Sequence, residues 1–134
     1  MGILIDSSVL IEHERGRLDL PALLADFDDE EGFLSAVTAS ELLHGVHRAA
    51  TAHDRARRLA VVEALLAAFP VLAVDVAVAR MHAQVWADLR AAGQAVGMND
   101  MWLAATCLAH GHAMVTCNQR DFLRIPGLRV HAPA

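Results

Sequence analysis

Lysine is absent from this sequence, and the basic residues are all arginine. An arginine-only set suits bidentate contact with phosphate. Genomic base bias gives the same composition, so the observation carries little weight alone. The two cysteines, Cys107 and Cys117, have neither the spacing of a metal site nor that of a redox pair. One falls in an expected helix and the other at a strand end, which reads as two buried thiols. No apolar run reaches the ~18 residues of a membrane span. The opening Met1-Gly2-Ile3-Leu4-Ile5-Asp6 meets an acid at once and lacks the basic region and long apolar stretch of a secretory signal. A cytosolic protein with no membrane attachment is expected. No repeat, low-complexity tract or Pro/Gly-rich linker breaks the chain, so residues 1–134 are expected to form a single domain, long enough to bury a core.

With 55% hydrophobic and only 20% charged residues, the chain has too much apolar surface to remain disordered. Its net charge of −5 excludes a general nucleic-acid coat protein, which would be basic. It does not exclude an enzyme whose acids are gathered in a metal site. The acidic stretch Asp28-Asp29-Glu30-Glu31-Gly32 reads as a solvated helix-to-strand loop.

Short apolar runs alternate with longer helical patterns. Ile3-Leu4-Ile5 reads as a first strand, followed by a helix from about Ser7 to Glu14. Asp19-Leu20-Pro21 starts a second helix, with proline at an early position, running to about Phe27. Phe33 to Val37 reads as a strand and Thr38 opens a helix carrying Leu42, Leu43 and Val46. A helix from Thr51 to about Phe69 places Leu59, Val62, Leu65 and Leu66 on one side. Val71 to Val74 is a third strand, and Asp75 starts a helix ended by Gly93. A further helix spans about Asn99 to His110, stopped by Gly111. Ala113 to Thr116 and Leu128 to His131 are the last strands. Strands separated by helices imply βαβ units with right-handed crossovers and a parallel sheet. Each crossover helix then begins at the carboxyl edge of the sheet, where ligands of open α/β folds bind.

That geometry turns four scattered acids, Asp6, Glu41, Asp100 and Asp121, into a candidate cluster. Acids gathered at one edge repel one another unless a cation sits among them, and hard divalent ions such as Mg²⁺ or Mn²⁺ prefer oxygen ligands. Locally each acid has an ordinary alternative. Asp6 and Asp75 both follow strands and are good helix N-caps. Thr38-Ala39-Ser40-Glu41 fits a capping box, Asp100 is a first-turn acid, and Asp121 suits a turn. Glu41-Leu42-Leu43-His44 has the Glu-x-x-His spacing of di-iron bundles but no second copy, so His44 and His47 read as surface or boundary residues.

The joint spacing is more distinctive. Ile3-Leu4-Ile5-Asp6-Ser7-Ser8-Val9-Leu10-Ile11, Thr38-Ala39-Ser40-Glu41-Leu42, Val96-Gly97-Met98-Asn99-Asp100-Met101-Trp102-Leu103-Ala104-Ala105 and Val115-Thr116-Cys117-Asn118-Gln119-Arg120-Asp121-Phe122 resemble, in order, the motifs of PIN domains. More narrowly they resemble the VapC toxins of bacterial toxin–antitoxin pairs, and Ile125-Pro126-Gly127-Leu128-Arg129-Val130 fits that family's ending. The resemblance spans essentially the whole chain.

It implies a three-layer α/β fold with a central parallel β-sheet flanked by helices. It also implies an endoribonuclease using Mg²⁺, with Mn²⁺ as an alternative. Asp6, Glu41 and Asp100 match the core acids and Asp121 the fourth, more variable one. Asn118 matches a neighbouring polar position that is an acid in some relatives, while Ser8 and Thr116 match supporting hydroxyls. Asp75 matches no site position, which leaves it as a cap. The resemblance further implies a homodimer, a cognate antitoxin seated in an apolar groove, and a heterotetramer or larger complex with it. Leu18, Leu20, Leu23 and Leu24 are candidates for that groove, unless they pack in the core. Arg55, Arg57 and Arg58 are the densest basic patch, with Arg15, Arg17 and Arg120 as possible additions, and read as a solvated helix face or an RNA contact. Two other readings compete. One is a catalytically weak binding module on the same fold. The other is a haloacid-dehalogenase-like phosphatase, which places a second Asp where Ser8 stands here.

Overall fold

The computed structural model describes residues 2–133. Among these, five strands form one parallel sheet: β1 (Gly2–Ile5), β2 (Glu31–Ser35), β3 (Val71–Leu72), β4 (Ala113–Val115) and β5 (Val130–His131), in the order β3-β2-β1-β4-β5. The helices are α1 (Ser7–Glu14), α2 (Leu20–Ala25), α3 (Ala36–His47), α4 (Ala52–Ala68), α5 (Val76–Ala91), α6 (Met98–His110) and α7 (Gln119–Phe122).

The period-two alternation of a strand sorts the central residues between two cores. Ile3, Ile5, Ala113 and Val115 face one side, where Val9, Leu10, Leu23, Leu42, Val46 and Val62 close over them from α1 to α4. Leu4 and Met114 face the other side, against Val85 and Leu89 of α5, Leu103, Ala104 and Cys107 of α6, and Phe122 of α7. Burial on both faces is why the strands read as unbroken apolar runs. The result is the expected three-layer α/β architecture. Leu4 is fully buried on the central strand. Leu4→Ala is expected to cost about 2–5 kcal/mol through lost transfer energy and a residual cavity. Urea unfolding would show this as a lower midpoint with an unchanged slope.

Several boundaries differ from the sequence reading, each for a pairing reason. β2 starts at Glu31, because Gly2 and Ile3 of the central strand pair with Glu31 and Gly32. The end of the acidic stretch is therefore strand, and only the part before it is loop. β3 is confined to Val71 and Leu72, whose partners are Leu34 and Ser35. The chain turns into α3 at Ala36, so Ala73 and Val74 have no neighbour to pair with. Ser35 caps α3, its hydroxyl accepting from the Val37 N–H at 3.0 Å. Thr38 consequently lies inside the helix, buried and without a side-chain partner, and the capping-box reading of Thr38 and Glu41 fails. Asp75 does cap α5, accepting from the Val78 N–H at 3.0 Å. Gly111, in the left-handed region at φ 69, terminates α6 as expected. Leu20 and Leu23 are buried, and Leu18 and Leu24 pack against the same cluster, so core packing accounts for these leucines, with Leu18 also lining a surface cleft. Cys107 is buried but Cys117 is exposed, since the strand ends two residues before it. Among the described residues no helix is long and apolar enough to cross a membrane.

Candidate functional site

The strand order reverses direction beside β1: α1 to α4 cover one face, and α5 to α7 the other. Such a switch point leaves a crevice outside the carboxyl ends of the adjacent strands, here β1 and β4. Asp6 follows β1 there and is 5% exposed. It occupies the N-cap position of α1 but makes no capping bond. Its Oδ2 instead accepts from the Ser8 hydroxyl at 2.8 Å and from the Thr116 hydroxyl, beyond β4, at 2.8 Å. Those hydroxyls are oriented in turn by backbone donors of the next loop, Cys117 N–H to Ser8 at 3.1 Å and Asn118 N–H to Thr116 at 2.9 Å. Both bonds fall on one carboxylate oxygen, so Oδ1 takes no part in the relay.

The other acids converge electrostatically on Asp6. Burial, followed by the negative charges of Asp6 and Asp121, pushes Asp100 up to about 6 from an ordinary 3.8. Glu41 is also raised, first by burial and then by Asp6 and Asp100, while hydrogen bonds from Asn99 and Ser7 pull it back. Glu41 Oε1 is buried with no hydrogen-bond partner. A buried carboxylate oxygen left bare is costly unless something cationic or donating meets it. Asp121 stands in the first turn of α7, with the Arg124 guanidinium 3.5 Å away.

Asp100 thus feels both Asp6 and Asp121, and Glu41 feels Asp6 and Asp100. Among the described residues, no three His, Cys, Asp or Glu side chains close tightly enough to enclose an ion. An open site of this kind suits Mg²⁺, which keeps several waters and commonly takes only one or two carboxylates plus substrate phosphate. Three observations fit a hard divalent cation here: an all-oxygen donor set, a bare Glu41 oxygen, and mutual repulsion felt at Asp100. Ser8 and Thr116 stand where the motif resemblance put them. Asn118 is exposed, and it bonds the site through its backbone N–H, which donates to the Thr116 hydroxyl.

Sequence reasoning missed Ser7 and Asn99, which contact Glu41. Their adjacency to Asp6 and Asp100 was the available signal. His44 and His47 are exposed. In the basic patch, Arg55 donates to the Ala49 carbonyl at 3.0 Å and Arg57 lies 3.7 Å from Asp54, so two of its three arginines are engaged locally. Two clefts flank the acids. One, of about 450 Å³, runs past Ser8, Glu12, Arg17, Cys117 and Asn118. The other, of about 360 Å³, lies between α3 and α6 and includes Ser40, Asn99 and Trp102.

Comparison with known proteins agrees with this geometry. The family model for the PIN domain matches residues 3–128. Ribonuclease VapC4 of Mycobacterium tuberculosis is 39% identical over 127 residues, covering 95% of this chain and 93% of its own. The tRNA(fMet)-specific endonuclease VapC of Salmonella typhimurium is 35% identical over 97 residues, covering 72% of this chain and 71% of its own. Among solved structures, VapBC-5 of Mycobacterium tuberculosis, a member of the VapBC family of toxin–antitoxin systems, is 32% identical with a TM-score of 0.73. That match covers 98% of this chain and 95% of the other. The motifs, the sheet order and these relatives agree: the chain belongs to the PIN-domain family and, within it, to the VapC ribonucleases.

Proposed function

We propose that this chain is the toxin of a toxin–antitoxin pair, a Mg²⁺-dependent endoribonuclease that hydrolyses phosphodiester bonds in structured cellular RNA, tRNA or rRNA. A cognate antitoxin inhibits it, and the chain works as a homodimer that joins the antitoxin in a heterotetramer or larger complex. The observation that carries the catalytic part is the bare, buried Glu41 Oε1, beside the negative charges of Asp6 and Asp100 that help to raise Glu41. Relatives named as a ribonuclease and as a tRNA(fMet)-specific endonuclease support RNA as substrate. The VapBC toxin–antitoxin relative supports the partner.

Asp6, Glu41, Asp100 and Asp121 would hold the cation directly or through water. Bound there, it would polarise the scissile phosphate and lower the pKa of the attacking water. Asp6 is held in one rotamer by Ser8 and Thr116, so its free oxygen is presented without an ordering cost when ligand arrives. Asn99 and Ser7 favour the charged form of Glu41. Ser8 spends its hydroxyl on Asp6 and on Cys117 N–H, which makes it a support and not a nucleophile. Asn118, at the edge of the larger cleft, supplies a neutral amide where some relatives carry an acid.

Purified chain, freed of any partner, should cut cellular RNA with Mg²⁺ and stop when a chelator removes it. Robust cleavage in excess chelator would overturn the metal mechanism. Absence of cleavage on total tRNA and rRNA would favour a binding module on the same fold.

A further inference from the structure

We propose that Trp102 is a specificity residue, an indole platform on which one unpaired base next to the scissile phosphate stacks. The inference rests on the ribonuclease reading above and assigns that site a base-binding pocket. Asn99 and Trp102, three residues apart, share one face of α6, and Val37 and Ser40 share one face of α3. The cleft of about 360 Å³ between them is lined by Ala36, Val37, Ser40, Val74, Asn99 and Trp102. It adjoins the acids, because Asn99 immediately precedes Asp100 and Ser40 immediately precedes Glu41.

None of the six lining side chains is charged. Beside four carboxylates, an uncharged pocket suits a neutral heterocycle and not a second phosphate. Its volume is at the small end of the ~300–1,000 Å³ range of ligand pockets. Ser40 and Asn99 add hydroxyl and amide groups able to meet the donors and acceptors of a base edge. One face of the Trp102 indole is covered by the imidazole of His82, with centroids 3.7 Å apart and planes at 16°. His82 is 5% exposed and wedged against Trp86 as well, centroids 5.8 Å apart. The indole is thus backed by a buried ring and held rigid, and Trp102 is partly exposed and lines the cleft. Aromatic platforms of this kind are how proteins hold unpaired RNA bases.

The test uses the sequence's two tryptophans. Trp86→Phe leaves Trp102 as the single emitter, and Asp6→Asn prevents turnover. An RNA that the wild-type chain cuts is dye-labelled, and a second version carries abasic ribose at the nucleotides flanking the scissile bond. The intact RNA should quench Trp102 emission saturably, in step with anisotropy. The abasic RNA should give no quenching and bind about 5- to 150-fold more weakly, the range expected for one stacked base. Trp102→Ala should lose the same factor on intact RNA and nothing further on abasic RNA, and Trp102→Phe should recover most of it. Binding by anisotropy with unchanged emission overturns the proposal. So does an emission change produced only by a protein partner. If Trp102→Ala does not fold, the emission measurement still decides, since it leaves residue 102 intact. If the wild-type chain cuts no RNA, the ribonuclease reading itself fails and takes this inference with it. Cleavage without quenching removes the base pocket alone.

Discussion

Asp6→Asn should reduce kcat/KM for RNA cleavage by about a thousand-fold or more while leaving the fold intact. Asp6 lies at the centre of the acids: it contributes to the upward shifts of both Glu41 and Asp100 and bridges β1 to β4 through Thr116. Metal assistance is worth several kcal/mol of transition-state stabilisation, and each 1.36 kcal/mol is tenfold in rate. A neutral side chain of the same shape forfeits most of that. Asparagine still offers an oxygen to the Ser8 and Thr116 hydroxyls, so Thr116, which is fully buried, keeps an acceptor. Asp6→Ala would strand those hydroxyls at about 1–3 kcal/mol, which mixes a stability loss with a catalytic one. Single-turnover cleavage of an RNA that the wild type cuts, alongside urea unfolding of both proteins, separates the two. An Asp6→Asn enzyme within tenfold of wild type would remove Asp6 from the metal site.

The parts of the site that were legible in the sequence are those fixed by topology. Ile3, Leu4 and Ile5 announce a strand buried on both faces, and an acid directly after such a strand falls at the crevice edge whatever the details. Local signals misled where two mechanisms compete for one residue. Thr38 and Glu41 match a capping box in spacing, yet Ser35 stands three residues earlier, where β2 runs out, and takes the cap. That frees Glu41 to face the other acids. Asp6 and Asp75 are indistinguishable by neighbours alone. Asp75 caps α5, while Asp6 is diverted by Ser8 two residues on and by Thr116 across the sheet. That second contact joins residues 110 apart in the chain, and no local pattern encodes it. The four-residue α7 is too short for periodicity to reveal, which is why Asp121 read as a turn residue. Cys117 read as buried because the strand was extended through Thr116, whereas the chain leaves the sheet after Val115.

In chelator at pH 7.5, Asp100→Asn should unfold at a higher temperature than wild type, and the gap should vanish near pH 4. Asp100 is raised in the folded chain from 3.8 to about 6, so the folded state binds its proton more tightly than the unfolded state does. A raised carboxyl contributes stability below its unfolded value and loses it as pH climbs through the folded value, here between about 4 and 6. Above that window the ionised group is a net penalty. A shift of that size corresponds to about 3 kcal/mol at 1.36 kcal/mol per unit. Asp100 is partly exposed, and solvent screening cuts this to about 1–2 kcal/mol, or roughly 3–8 °C in Tm for a domain of this length. The comparison must be between the two proteins and not along one pH curve. Glu41 has the same sign as Asp100, but His82 and His112 are lowered by burial and lose stability as pH falls, which masks the trend in the wild type alone. Millimolar Mg²⁺ at pH 7.5 should reverse the order, since a ligand that binds only the folded state stabilises it by mass action and Asp100→Asn removes one of its anionic partners. Scanning calorimetry of both proteins at pH 4 and 7.5, with chelator and then with Mg²⁺, checks each arm. If the wild type is the more stable protein in chelator at pH 7.5, the acids do not strain one another, and the electrostatic case for a cation among them falls.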